Sequence, residues 1–317
     1  ADTLFLAESA DGMAALAQAM AAGGITGNVL FYGSPEPLNR EQHAKLALVH
    51  KDKPYAFAAA GTAVPLTVSE FAPAALTFPV IFAGEDKVPL AVMGLNQQEN
   101  LFIGADGSVE PNVYIPAYIR RYPFVLANDE GQERLIVCID RSSDLLAEGG
   151  QTPLFDDKGE PTEYTQNCIK FCDDFEVERR RTDSFVQLLK DLDLFELKKA
   201  TFQPQDETGA AAGEPVTVAE YYGVSEEKLN KLSAEKLKEL QENGALAQIY
   251  AHLVSLLGWD RLINKTMMQQ AAAGGVNRGT DAAGQGNSQS QTKIAVLFHI
   301  FIPLCAIDIV TALMHVD

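Results

Sequence analysis

The segment YIPAYIRRYPF, residues 114–124, sets Arg120 and Arg121 side by side among three tyrosines and between two prolines. A guanidinium fork matches a carboxylate or phosphate in bidentate fashion, so Arg120 and Arg121, flanked by Tyr118 and Tyr122, are candidate ligands for an anion. In a chain of net charge -18, a local positive site draws an anionic ligand or an acidic stretch of the same protein. Structure alone also accounts for the pair. Pro116 is tolerated in a first helical turn, and Pro123 biases Tyr122 towards an extended backbone, which leaves little more than one turn over 116–121. Both arginines then face the exposed carbonyls at the negative end of that turn. Glu70, Glu99 and Asn100, in neighbouring blocks, are the candidate internal partners. The internal role is favoured and the ligand role stays open.

The remaining reactive residue types form weaker patterns. Cys168 and Cys172 stand at i and i+4 with no further Cys or His close in sequence, so they supply two ligands of a tetrahedral metal site at most. A buried apolar role suits them better. His43 and His50 lie seven apart in LNREQHAKLALVH and read as solvated helix histidines. The glycines of FIGADG do not make a dinucleotide fingerprint, and no serine sits in a G-x-S-x-G elbow. No catalytic residue, metal ligand set or cofactor is assigned.

The elements that must position these groups change character along the chain. NVLFYG, 28–33, has the content of a strand ending at glycine. From about 53 to 140, short apolar runs alternate with turn signals: KPYAFA, FPVIFAG, VPLAVMGL, NLFIGADG, PFVLAN and RLIVCID. The connections EDK and NQQE are too short for crossover helices, so antiparallel pairing is expected. Asp106-Gly107 supplies a further turn, and Ser69 is the expected cap of a short helix over EFAPAAL. In the second half Cys168, Phe171, Cys172 and Phe175 recur at one helical face, and Val186 and Leu189 continue it. Arg179 interrupts that stripe. Its stem is expected over the core edge with the guanidinium in water. After a loop at 203–215 come short helices capped by Ser225 and Ser233, stopped at Gly244, and packed by Leu229, Leu232, Leu237 and Leu240.

Residues 269–291 are a low-complexity run rich in Gly, Ala, Gln, Ser and Asn. The apolar segment 294–314 is long enough to cross a bilayer, but Asp308, His299 and Pro303 oppose insertion. A tail anchor, a docking segment and a non-native tail all remain open. The opening residues ADTLFLAESADG show neither the basic nor the apolar region of a signal peptide, while an opening Ala leaves earlier trimming open. Scattered cysteines suggest a reducing compartment, and the cytoplasm is expected. With 43 acidic against 25 basic residues, nucleic acid is not an expected partner. A membrane becomes one only if 294–314 inserts.

Seven ordered blocks, LNREQHAKLAL, VPLTVSEFAPAALTFPVIF, PLAVMGLNQQENLFIGADG, YIPAYIRRYPF, VCID, LFDDKGEP and GALAQIYAHLVSLLGWDRL, resemble the SapC family of bacterial proteins. The resemblance covers about 28–264. It implies an association with surface-layer, outer-membrane receptor and flavin-dependent halogenase loci, and it brings no catalytic residues. Residues 266–317 depart from the family pattern. The expected fold is α+β: a sheet-rich region over 1–150, a helical region packed on it over 151–265, a disordered linker over 266–292 and an apolar tail over 293–317. The leading functional expectation is a non-enzymatic accessory or binding protein of a bacterial envelope, surface-layer or nutrient-uptake system, contacting a protein or a small anionic ligand. The alternatives are an enzyme or enzyme partner for an anionic or peptide-like substrate near Arg120 and Arg121, and a tail-anchored membrane adaptor.

Overall fold

Apolar runs too closely spaced for crossovers pair antiparallel in the computed structural model, which describes residues 30–128, 135–204, 211 and 213–276. The main sheet has five strands in the order β10-β11-β4-β5-β3. They are β3 (Ala63–Pro65), β4 (Val80–Ala83), β5 (Val88–Val92), β10 (Phe195–Phe202) and β11 (Val216–Val224). Every residue of β4 is buried, and EDK closes the β4–β5 hairpin as the short connection predicts. A second sheet takes β1 (Pro35–Pro37), β7 (Leu135–Asp140) and β6 (Phe124–Asn128) in that order, and a third takes β8 (Leu146–Glu148), β2 (Leu46–Leu48) and β9 (Thr152–Pro153). The α+β class holds.

Four short helices and four longer ones cover these sheets among the described residues: α1 (Arg40–His43), α2 (Phe71–Ala75), α3 (Ala117–Arg120), α4 (Glu163–Asp191), α5 (Glu226–Asn230), α6 (Ala234–Glu242), α7 (Ala245–Ser255) and α8 (Gly258–Val276). Thr162 caps α4 by accepting the Thr165 N–H. The apolar face of α4 buries Cys172, Phe175, Phe185, Val186 and Leu189 against β6 and the 3-10 turn Val68–Glu70. Each such side chain stabilises the packing by about 1.5–3 kcal/mol. Arg179 keeps its head in water, pairing with Glu176 at 2.7 Å and Asp183 at 2.8 Å, as its place in the stripe suggested. Helix α7 lies on α2, β11 and β4, and its His252 joins the layers through the Val80 carbonyl and the Val224 N–H.

Several local expectations are corrected. NVLFYG does not form a strand over its described residues: Phe31 takes φ 76, and the N–H groups of Gly33 and Ser34 donate to the Asp140 carboxylate instead of a ladder. KPYAFA is a 3-10 turn at Ala56–Ala58, since its alanines give a strand little to bury while Tyr55 and Phe57 pack as a pair. The cap ahead of α2 is Thr67, not Ser69, because Glu70 and Thr67 form a reciprocal capping box. His43 is buried, not solvated: α1 lasts one turn, and the His43 Nε2 lies 2.8 Å from Glu36. Exposed His50 follows β2 rather than extending the helix.

The boundary at 150 divides no sheet-rich body from a helical one. Strand β11 pairs with β4 through Tyr222 and Phe82, so the later region contributes to the main sheet. Helix α8 also continues to Val276, beyond the expected end at 265. The apolar segment 294–314 and the remainder of the expected linker lie outside the described residues. Among the described residues, no helix is long and apolar enough to cross a membrane.

Candidate functional site

The short helix α3 exists because its two ends are closed from elsewhere. Pro116 precedes it and leads into the first turn, but proline offers no side-chain cap. The buried Glu70 carboxylate supplies one, accepting the Ala117 N–H at 2.6 Å and the Tyr114 hydroxyl at 2.9 Å. At the other end the Tyr122–Pro123 peptide is cis, and the chain enters β6. The two arginines occupy the last turn, as the prolines predicted.

They point to different surroundings. Exposed Arg120 donates from Nε to the Ile115 carbonyl at 3.0 Å, and its Nη2 reaches the Tyr114 hydroxyl at 3.4 Å. Its guanidinium lies 5.2 Å from the centre of the Phe171 ring. Half-buried Arg121 turns inward between α3 and α4. Its guanidinium lies 4.1 Å from the Tyr118 ring centre, 4.6 Å from Phe175 and 5.9 Å from Tyr32. The buried Nε of Arg121 has no hydrogen-bond partner among the described residues, while the head also hydrogen-bonds the Tyr118 and Tyr32 hydroxyls.

The aromatic enclosure is tied to the second sheet. Tyr122 stacks on Phe57 with centroids 3.9 Å apart and donates to Asp140 at 3.1 Å. Asp140 also accepts from the Gly33, Ser34 and Ser142 N–H groups. Burial opposes its charge, but these donors and the Ser142 hydroxyl hold its carboxyl below the usual range. Burial, together with the neighbouring Asp140 charge, pushes Tyr122 up to about 12. Tyr32 donates to the Phe124 carbonyl at 2.7 Å, whereas Tyr118 reaches the Leu30 carbonyl only at 3.4 Å. Burial raises both phenols, so they are neutral donors at pH 7. The Cys172 thiol is likewise pushed up to about 12 by burial.

Of the seven residues singled out in sequence, five converge here: Tyr118, Arg120, Arg121, Tyr122 and Glu70. Glu70 meets the segment through Ala117 and Tyr114 rather than through a guanidinium. Glu99 accepts from the Asn96 side chain at 2.7 Å. Buried Asn100 donates to the Ala58 and Gly61 carbonyls and accepts the Phe102 and Ile103 N–H groups. Neither Glu99 nor Asn100 contacts the arginines among the described interactions. Their work is in the loop between β5 and α3. Sequence reasoning missed Tyr32, Tyr114, Phe175 and Asp140 as neighbours. Phe175 was visible as part of the α4 stripe, but nothing in its spacing announced an arginine against it. Among the described residues, no cluster of three His, Cys, Asp or Glu side chains forms a metal site.

The SapC family model matches residues 38–262, which include α3, most of the aromatic enclosure and the whole main sheet. The chain belongs to the SapC family. No curated protein and no solved structure matches it. Within this SapC protein the arginine segment bridges the second sheet and α4, and Tyr32 adds an enclosing ring from just before the matched range.

Proposed function

We propose that this SapC protein is a non-enzymatic accessory or binding protein of a bacterial envelope, surface-layer or nutrient-uptake system, and that it recognises an anionic group at Arg121. Family membership supports the association with such a system that the resemblance implies. The observation that carries the binding reading is the contrast between the paired cations. Exposed Arg120 directs its Nε and Nη2 to a carbonyl and a phenol, while inward-turned Arg121 meets the Tyr118 and Tyr32 phenols and keeps a buried Nε unpartnered among the described residues. A buried donor without an acceptor costs about 1–3 kcal/mol, and an incoming carboxylate or phosphate recovers that cost. The neighbouring Tyr32, Tyr118 and Cys172 are all held away from neutral titration, which suits binding better than general acid–base work. The partner is a small anionic ligand or an acidic segment of another protein.

Thermal unfolding of the full chain tests the reading when acetate and inorganic phosphate are each compared with chloride at constant ionic strength. An anion-dependent rise in Tm that disappears in Arg121→Met and persists in Arg120→Met supports it. Equal midpoints in every salt for the wild-type chain overturn it.

A further inference from the structure

Strand β10 ends the main sheet, and among the described residues nothing pairs with its outer side. We propose that this outer edge pairs antiparallel with the β10 edge of a second copy of the chain, about a two-fold axis at Leu197. The backbone phase comes first. The Ser225 N–H donates to the Leu194 carbonyl at 2.8 Å, in the register that places Phe195 opposite Val224. Bonded pairs alternate along an antiparallel ladder, so Glu196 and Lys198 are the next residues to bond inward to β11. Phe195, Leu197 and Lys199 therefore turn their N–H and C=O groups to the outer edge. The Lys228 Nζ, reaching the Phe195 carbonyl at 2.9 Å, takes up one of those groups. Those of Leu197 and Lys199 have no partner among the described residues, and the Leu197 side chain beside them is 54% exposed.

The side chains select the occupant and the register. The ladder shifts at Ala200/Thr201, which leaves a regular edge over 195–199 whose midpoint is Leu197. With the two-fold axis there, the Leu197 backbones exchange two hydrogen bonds and their side chains meet. Glu196 of each copy then faces Lys198 of the other. Within one chain these two already lie 2.6 Å apart, so pairing builds a square of alternating charge on one face of the joined sheet. Moving the axis to Lys198 or Lys199 sets lysine opposite lysine, which is destabilising. The same lysines that shield the edge from indiscriminate pairing thus leave one register open, and a two-fold pairing that consumes the edge closes at two copies. The net charge of -18 opposes association at long range, but at about 0.15 M salt it is screened beyond roughly 8 Å while the contacts across the edge persist. Five residue pairs make a small interface, so the dimer is weak and reversible.

Sedimentation equilibrium of the full chain at about 0.15 M salt, from about 1 to 300 µM, is expected to show a monomer passing to a dimer. Leu197→Pro removes an outward N–H and none of the bonds to β11, and it is expected to weaken the dimer by about tenfold or more. Glu196→Lys and Lys198→Glu each set like charges across the edge, and each chain alone is expected to remain monomeric. Mixed in equal amounts they are expected to dimerise, because each supplies the charge the other lacks. Amide exchange in the wild-type chain needs no variant: the Leu197 N–H is expected to slow as concentration rises. A wild-type chain that stays monomeric throughout overturns the proposal. So does a dimer that persists undiminished in folded Leu197→Pro or leaves Leu197 exchange unchanged, since its interface then lies elsewhere. Charge variants that associate no better together than apart overturn the register centred on Leu197.

Discussion

The Glu70 carboxylate accepts the Ala117 backbone N–H at 2.6 Å across 47 positions of sequence. The same side chain accepts the Thr67 N–H at 2.9 Å and the Thr67 hydroxyl at 2.8 Å, so one buried acid closes its own turn and caps a remote helix. A four-residue helix has no cooperative reserve and depends on such external bonds. Together with Tyr114, which also donates to Glu70, this arrangement fixes the direction in which the arginine pair leaves the backbone.

Glu70→Ala therefore strands several donors at once and is expected to destabilise the protein by about 3 kcal/mol or more. Glu70→Gln keeps the shape but loses the charge assistance, and its urea midpoint is expected between those of the wild type and the alanine variant. An alanine variant as stable as the wild type would show that the cap holds nothing.

Gly107 and Gly149 separate two costs of replacing glycine. Both have positive φ, 80° and 71° respectively. A Cβ on Gly107 would lie 2.3 Å from the Lys53 carbonyl oxygen and 2.8 Å from the Ala56 nitrogen, whereas one on Gly149 meets nothing within 4 Å. Gly149→Ala is expected to cost about 1 kcal/mol for the left-handed backbone alone. Gly107→Ala adds a clash with backbone that cannot rotate away, for a total of about 2–3 kcal/mol. Thermal unfolding of the two variants side by side measures the difference, and equal midpoints would contradict it.

What the sequence disclosed about this fold follows the range of the forces involved. Periodicity revealed α4 and its cysteine face, and short connections revealed the β4–β5 hairpin, because both depend on residues a few positions apart. NVLFYG misled because its backbone donors are taken by Asp140, more than 100 positions away. The place of β10 and β11 in the main sheet was equally hidden, since it rests on the Tyr222–Phe82 pairing. At the site, Pro116 and Pro123 bounded the turn and pointed to the arginines between them. They carried no information on which guanidinium faces inward, because Phe175 and Tyr32 reach Arg121 from separate elements.

The three described cysteines are expected to react in a fixed order. Cys138 and Cys172 are buried and Cys168 is half-buried, and burial raises all three thiols above their ordinary range. The thiolate is the reactive form, so each is protected by both access and protonation. Iodoacetamide at pH 8, followed by peptide mass spectrometry, is expected to label Cys168 first and Cys172 only on unfolding. Early labelling of Cys172 in the folded chain would contradict its burial among Phe124, Ile139 and Leu154.

Acid should loosen the seam between α7 and the main sheet through His252. Its Nδ1–H donates to the Val80 carbonyl at 2.8 Å and its Nε2 accepts the Val224 N–H at 3.0 Å, which fixes a neutral ring. Burial is the main cause that lowers its pKa from 6.5 to about 4, with the Lys198 charge acting in the same direction and the Val80 bond against it. Because the folded value is depressed, the unfolded chain takes up the proton first as pH falls. The contribution is complete above about pH 6.5 and is progressively lost down to about pH 4, to a total on the order of 3 kcal/mol. Urea unfolding across pH 4–8 is expected to show this loss in the wild type, superimposed on the carboxylate titrations, and to lack it in His252→Gln. The glutamine variant is less stable at pH 7, since one amide cannot reproduce both ring contacts, yet its stability falls less steeply below pH 6.5. Parallel pH profiles for the two proteins would mean that His252 is already free to take a proton in the folded state.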